Sequence, residues 1–321
     1  MTAPRTLTLT MVTLLTLTAC TSTVDDPVVG PPVAGGVAGA NRSGDGQNSA
    51  PPSAAALTPD QYRAELEEAR GPVRKAVKRL AGTTKLTNLG KRLGETATAI
   101  DGAVERLAAL APPAEVKAQH DAYVEALRGL SVAFGSARQD AEAQHVCTGP
   151  AALSRMGKAG ELADVEKAAE TLAGYPAGVI SVKVAGERKR RLPNGRLITS
   201  EGLPGRAYLE VKNGGKQDAV IVLVRGSKKA VTVYVRGKSK FRIQGVRDGN
   251  YKVYYSTGED WDSRARTFTR TCSFEQFGEP LRFKTRQVGT QISWDNWTIT
   301  LRSATGGNVR PKTVKPGDFP A

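Results

Sequence analysis

The sequence predicts an α+β protein of two domains, an N-terminal antiparallel helical bundle followed by an all-β sandwich. Three observations carry this reading. Apolar residues recur at helical spacing from Thr58 to Tyr175, the period switches from 3.6 to 2 after Pro176, and turn signals such as Asn194-Gly195 and Asn213-Gly214-Gly215 punctuate the second half. The boundaries that follow are 1–19 for an export signal, 20–57 for a tether, 58–175 for the bundle, 176–308 for the sandwich and 309–321 for an extended tail.

Thr58-Pro59-Asp60-Gln61 supplies a capping hydroxyl, a proline at the first helical position and a glutamine placed to reach back to the cap amide, so a helix starts there. Tyr62, Leu66, Val73, Val77 and Leu80 fall on one face of it. Leu89, Leu93, Ile100, Val104 and Leu107 mark a second helix. Pro112 and Pro113 break the chain and open a third, carrying Val116, Tyr123, Leu127, Leu130 and Phe134. A weaker fourth pattern runs through Leu153, Met156, Leu162, Val165, Ala169 and Leu172.

Strands are expected at Val179–Val184, Ala207–Val211, Ala219–Val224, Ala230–Val235, Phe241–Val246, Tyr251–Tyr255, Thr267–Thr271, Leu281–Thr285 and Ile292–Leu301. Pro311, Pro316 and Pro320 mark the tail. The 37 residues from Thr21 to Leu57 hold 22 Gly, Pro, Ser and Ala and no aromatic, a composition that cannot build a core.

At the N-terminus, Arg5 precedes the apolar run Leu7–Leu17, which closes on Leu17-Thr18-Ala19-Cys20. The stretch Leu7–Ala19 is too short to cross a bilayer, and the body of the chain is expected to be soluble. At these residues the chain resembles bacterial lipoprotein precursors. The resemblance implies cleavage before Cys20 and its lipidation, which anchors the protein to the membrane. The Ala, Gly, Thr and Arg bias is similar to that of high-GC Gram-positive bacteria. The segment from Leu107-Ala108-Ala109-Leu110-Ala111-Pro112-Pro113 through Ala126-Leu127 resembles helical regions of actinobacterial lipoproteins to which no activity attaches. The elements Asp218–Val224, Tyr234-Val235-Arg236-Gly237, Asp248-Gly249-Asn250-Tyr251 and Tyr254–Trp261 resemble an extracytoplasmic bacterial β-module that accompanies diverse partners and is not a catalytic unit.

Charge divides the chain. Residues 58–175 carry 16 basic and 16 acidic side chains, whereas residues 176–321 carry 28 basic and 12 acidic. The densest point is Arg188-Lys189-Arg190-Arg191 with Arg196, a candidate anion-binding patch. Such a patch concentrates polyanions by field focusing and counterion release. The alternative is a basic, solvated surface without a dedicated ligand. With Cys20 lipidated, Cys147 and Cys272 remain as an even pair in an oxidising compartment, and a disulfide is expected; the alternative is two separate thiols.

With three Cys and two His, zinc, haem and iron–sulfur sites lack ligands, so no metal or other cofactor is expected. His145 and Cys147 at i and i+2 point apart on a helix and do not form a nucleophilic dyad. His120 reads as a packed histidine. Gly237-Lys238-Ser239 has Thr232 where a phosphate loop needs glycine. Glu259, Asp260 and Asp262 beside Trp261 read as a solvated acidic loop, and Trp294 and Trp297 at i and i+3 face opposite sides of a strand, putting at least one in the core.

No catalytic residue emerges. The reading is a lipid-anchored binding or scaffolding protein at the outer face of the cytoplasmic membrane, contacting anionic wall polymer or the membrane surface through the basic β domain, with nucleic acid excluded as a partner. Its alternatives are a structural module whose helical bundle docks another envelope protein, and an enzyme of a type that linear sequence does not display.

Overall fold

The computed structural model describes residues 55–301 and 311–320. Cys20, the expected export signal and most of the expected tether lie outside them. Residues Ser53–Ala321 form one compact unit that contains both the helices and the sheets.

Helix α1, Pro59–Ala81, begins with the expected capping box: Gln61 N donates to Thr58 Oγ1 at 3.3 Å and Thr58 N donates to Gln61 Oε1 at 3.0 Å. Pro72 lies inside α1 on its exposed side and does not end it. Helix α2, Leu86–Ala108, and helix α3, Lys117–Glu142, follow, the latter led in by a short 3-10 turn at Ala114–Val116. The fourth pattern resolves into two helices, α4 at Gly149–Ala159 and α5 at Glu161–Thr171, because Gly160 between them takes φ 106°. Gly149 lets α4 begin hard against the end of α1. A Cβ there would lie 1.8 Å from the Leu80 carbonyl oxygen.

Tyr62, Leu66, Val77, Leu93, Ile100, Leu127 and Phe134 are fully shielded in the helical core. The stretch Val179–Val184 is a correction: it is irregular, with a bend at Val182, and forms no strand. Val179 is buried in the helical core and Ile180, Val182 and Val184 pack against it. Its alternation was real, but a helix surface covers it and no neighbouring chain pairs with it.

The strand-rich part is a sandwich. One sheet runs β1 (Leu197–Ser200), β4 (Lys228–Val235), β3 (Asp218–Arg225), β6 (Gly249–Asp262), β7 (Thr267–Phe277) and β12 (Pro311–Thr313), with β8 (Leu281–Phe283) also on β6. The second runs β11 (Trp297–Leu301), β2 (Ala207–Asn213) and β5 (Ser239–Val246), with β11 parallel to β2. Strands β9 (Thr285–Val288) and β10 (Gln291–Trp294) form a separate hairpin. The strand expected over Ile292–Leu301 therefore breaks at Asp295-Asn296.

Strand β3 is apolar on both faces, and both are buried. Ala219, Ile221 and Leu223 enter the core between the two sheets, while Val220 and Val222 enter a second core with Tyr234, Trp261, Phe268 and Phe274. The tail closes part of this second core. Strand β12 pairs with β7, and the Phe319 ring meets Phe274 at 5.2 Å and Tyr254 at 6.2 Å between centroids.

Candidate functional site

After Val184 the chain leaves the helices and crosses the end of β6. There Trp261 N donates to the Arg190 carbonyl at 3.0 Å. The β6–β7 register slips between Thr257 and Glu259, and Asp260 adopts φ 56°, a left-handed conformation unusual for aspartate. Arg190 donates to Asp260 from its backbone N–H at 2.9 Å, from Nε at 2.9 Å and from Nη2 at 2.8 Å, and to Asp262 from Nη1 at 2.8 Å. Thr269 Oγ1 adds a further bond to Asp260 at 2.7 Å. Burial of Asp260 opposes its ionisation, but the Arg190 guanidinium, the Arg190 N–H and the Thr269 hydroxyl outweigh it and hold the carboxyl down at about 2.

Arg191 is held in the same way. Its Nε donates to Asp218 Oδ2 at 2.7 Å and its Nη2 to Asp218 Oδ1. Asp218, at the head of β3, also accepts from the Tyr234 hydroxyl and from Gly237 N at 2.9 Å. Burial raises the Asp218 carboxyl, and these donors more than reverse it. Burial, with the neighbouring carboxylate, raises the Tyr234 hydroxyl.

The basic run is thus divided in function. Arg190 and Arg191 serve as internal counter-ions, while Arg188, Lys189 and Arg196 have no ion-pair partner among the described residues. Three concavities meet around the run. One of about 210 Å³ is lined by Arg188, Arg190, Arg270, Thr148 and Ser154; one of about 300 Å³ by Lys189, Arg191, Lys216 and Glu259; one of about 580 Å³ by Arg188, Trp261, Ser263 and Arg264. Arg196 lies outside all three linings, in the turn that leads into β1. Glu187 pairs with Lys158 at 3.2 Å and Glu259 with Arg270 at 3.7 Å, so the cations left over are Arg188, Lys189, Lys216 and Arg264. They form a positively charged rim.

The acids around Trp261 are not a solvated loop. Asp260 is buried and Asp262 is committed to Arg190, while Trp261 packs its ring on Phe268 and Tyr234. Among the described residues no group of three or more His, Cys, Asp and Glu is placed to hold a metal ion. Trp294 and Trp297 are both exposed, at 39% and 38%, because the strand between them is broken; neither is in the core.

Cys147 and Cys272 are joined by a disulfide with their Cα atoms 6.4 Å apart. Residues 144–147 run beside β7 through an isolated antiparallel bridge between Val146 and Arg270, with Cys147 N bonded to Thr269 O, Thr271 N to His145 O and Cys272 N to Gln144 O at 2.9–3.1 Å. His145 turns instead to Asp140, 3.1 Å away, which also holds Arg155. His120 is packed as expected, between the Tyr62 hydroxyl at 2.9 Å and the Leu107 carbonyl at 3.1 Å.

Sequence reasoning missed the partners of Arg190 and Arg191. One signal was present: Asp218 heads an apolar run of six, and a carboxylate at the edge of a buried strand requires donors. Compared with protein-family models, curated proteins and solved structures, the chain matches none.

Proposed function

We propose that this protein is a lipid-anchored, exported binding module that holds an anionic polymer of the cell envelope on the rim formed by Arg188, Lys189, Lys216 and Arg264. The observation that carries the reading is the division of labour in the 188–191 run. Arg190 and Arg191 fix the crossing segment to buried carboxylates, and Arg188 and Lys189 are left charged and uncompensated beside open concavities. A segment pinned at Arg190 and Arg191 and presenting unpaired cations beside them suits a repeating phosphate, because each contact displaces counterions. The export signal and Cys20 anchor supply the location.

The test is binding of the full-length chain, with Cys20→Ser to remove acylation, to poly(glycerol phosphate) across a salt series. Salt-steep binding that is lost in Arg188→Ala/Lys189→Ala supports the reading. Binding absent at low salt, or unchanged in that variant, removes it and leaves the helical bundle as the surface for a protein partner.

A further inference from the structure

Six large apolar residues are exposed among the described residues, and four of them, Val288, Ile292, Trp294 and Trp297, fall within ten positions of one another. They belong to the β9–β10 hairpin and the start of β11. No strand of either sheet pairs with the hairpin, which is tied at its base by Thr285 N and Oγ1 donating to Asp248 at 2.8 and 2.9 Å. From Gln287 to Trp294 the chain reads Gln-Val-Gly-Thr-Gln-Ile-Ser-Trp, with no charge. Charge begins at Arg286, which stands opposite Ser293 on the face that carries Val288 and is neutralised by Asp295, the one acid in this stretch, at 2.7 Å; the cations without an ion-pair partner among the described residues, Arg282 and Lys284, lie behind the Thr285–Trp294 pair and are exposed.

The order along the hairpin is aliphatic and uncharged at the tip, indole at the base, cationic behind. Val288 lies on one face, while Ile292 and Trp294 share the other, so both faces of the tip are accessible. At about 3.3 Å per residue, Gln291 to Trp294 spans about 10 Å, the depth to which interfacial apolar segments enter the headgroup and acyl boundary. Indoles prefer that boundary, where the ring is apolar and the N–H is satisfied; the Trp297 indole is already fixed by its bond to Arg282 O at 2.8 Å. Arg282 and Lys284 then sit at headgroup level, and their charge selects an anionic surface.

We propose that the β9–β10 hairpin is a membrane-interface wedge that inserts Val288, Ile292 and Trp294 into an anionic phospholipid surface. The inference rests on the envelope location proposed above but not on the Arg188–Lys189 rim.

The test uses the full-length Cys20→Ser chain with vesicles of phosphatidylcholine containing about 30% phosphatidylglycerol, and with vesicles of phosphatidylcholine alone. Expected are co-sedimentation with the anionic vesicles, a blue shift of tryptophan emission and quenching by acyl chains brominated near the headgroup. Buried Trp261 leaves Trp294 and Trp297 as the reporters. Val288→Ser/Ile292→Ser/Trp294→Ser weakens anionic-vesicle binding by about tenfold or more, since each side chain loses its apolar transfer. Arg282→Glu/Lys284→Glu removes the preference for the anionic vesicles while leaving the circular dichroism unchanged. Arg188→Ala/Lys189→Ala retains vesicle binding, which separates this site from the polymer rim. Absence of quenching by brominated chains, or unchanged vesicle binding in the hairpin variants, overturns the proposal. A blue shift produced by lipid-free glycan and not by vesicles overturns it in favour of a sugar-stacking surface.

Discussion

Arg190 holds Asp260 through three of its nitrogen atoms, the backbone N–H, Nε and Nη2, all within 2.9 Å. A carboxylate with 4% of its side chain exposed depends on those donors for its charge. Removing one partner of a fully buried pair costs about 3–5 kcal/mol; with 38% of the Arg190 side chain still exposed, Arg190→Ala is expected to cost about 2–3 kcal/mol. Urea unfolding measures it, and a loss below about 0.5 kcal/mol contradicts the role assigned to Arg190.

The same pair sets acid sensitivity. The Asp260 carboxyl is held at about 2 in the folded protein against an ordinary value of 3.8. A depressed folded value means stability present at neutral pH that is lost as pH falls from about 5 towards 2, amounting to about 2–3 kcal/mol. Asp218 and Asp262 are shifted in the same direction and add to the slope. In Asp260→Asn the acid limb of stability against pH is shallower; an identical limb refutes the assignment.

His120 produces a different limb. Burial lowers its value from 6.5, so the unfolded chain takes up the proton first. Stability contributed by the neutral imidazole is present above about 6.5 and lost as pH falls below it. His120→Gln is expected to flatten the dependence of the urea midpoint between about pH 7.5 and 5.5 while leaving the Asp260 limb in place.

Reduction of Cys147–Cys272 opens a covalent loop whose ends are 125 positions apart. Chain-entropy reasoning gives a loss of about 4–5 kcal/mol. Cys147→Ser/Cys272→Ser is expected to lower Tm by several degrees and to speed hydrogen exchange at the Cys147 and Cys272 amides, which bond between the 144–147 segment and β7. Unchanged exchange there removes the disulfide as the element that fixes that segment.

The tail gives a further measure of packing. Phe319 meets two aromatic rings on the β6–β7 face, so Phe319→Ala is expected to cost about 1–3 kcal/mol, less than a fully buried phenylalanine because Phe319 is half-buried. A neutral substitution shows the tail to be undocked in solution.

Helices and most strands were legible because their signals are local. Thr58 and Gln61 are three residues apart, and the stripe from Tyr62 to Leu80 repeats within one element. Strand β3 announces burial on both faces by its unbroken Ala-Val-Ile-Val-Leu-Val run. The candidate site was legible only as a run of positive charge. Its acids stand 27 and 70 positions away, and nothing in a linear sequence distinguishes an arginine bound to a buried aspartate from one facing water. Val179–Val184 misled for a related reason: alternation reports a half-buried extended chain and is blind to whether a strand or a helix covers it.

A protein held at one end and loaded at a distant surface bears tension along its chain. Because Cys147 and Cys272 are bonded, force applied between the termini passes through the sulfur atoms, and the enclosed chain, which includes β1 to β6 and the Arg188–Lys189 rim, carries none of the load. At about 3.4 Å per residue, roughly 420 Å of contour length stays out of reach of unravelling. Pulled in an oxidising environment, the molecule can extend its outer helices and tail, shedding β8 and β12, while the chain from β1 to β6 that carries the basic rim is not drawn out.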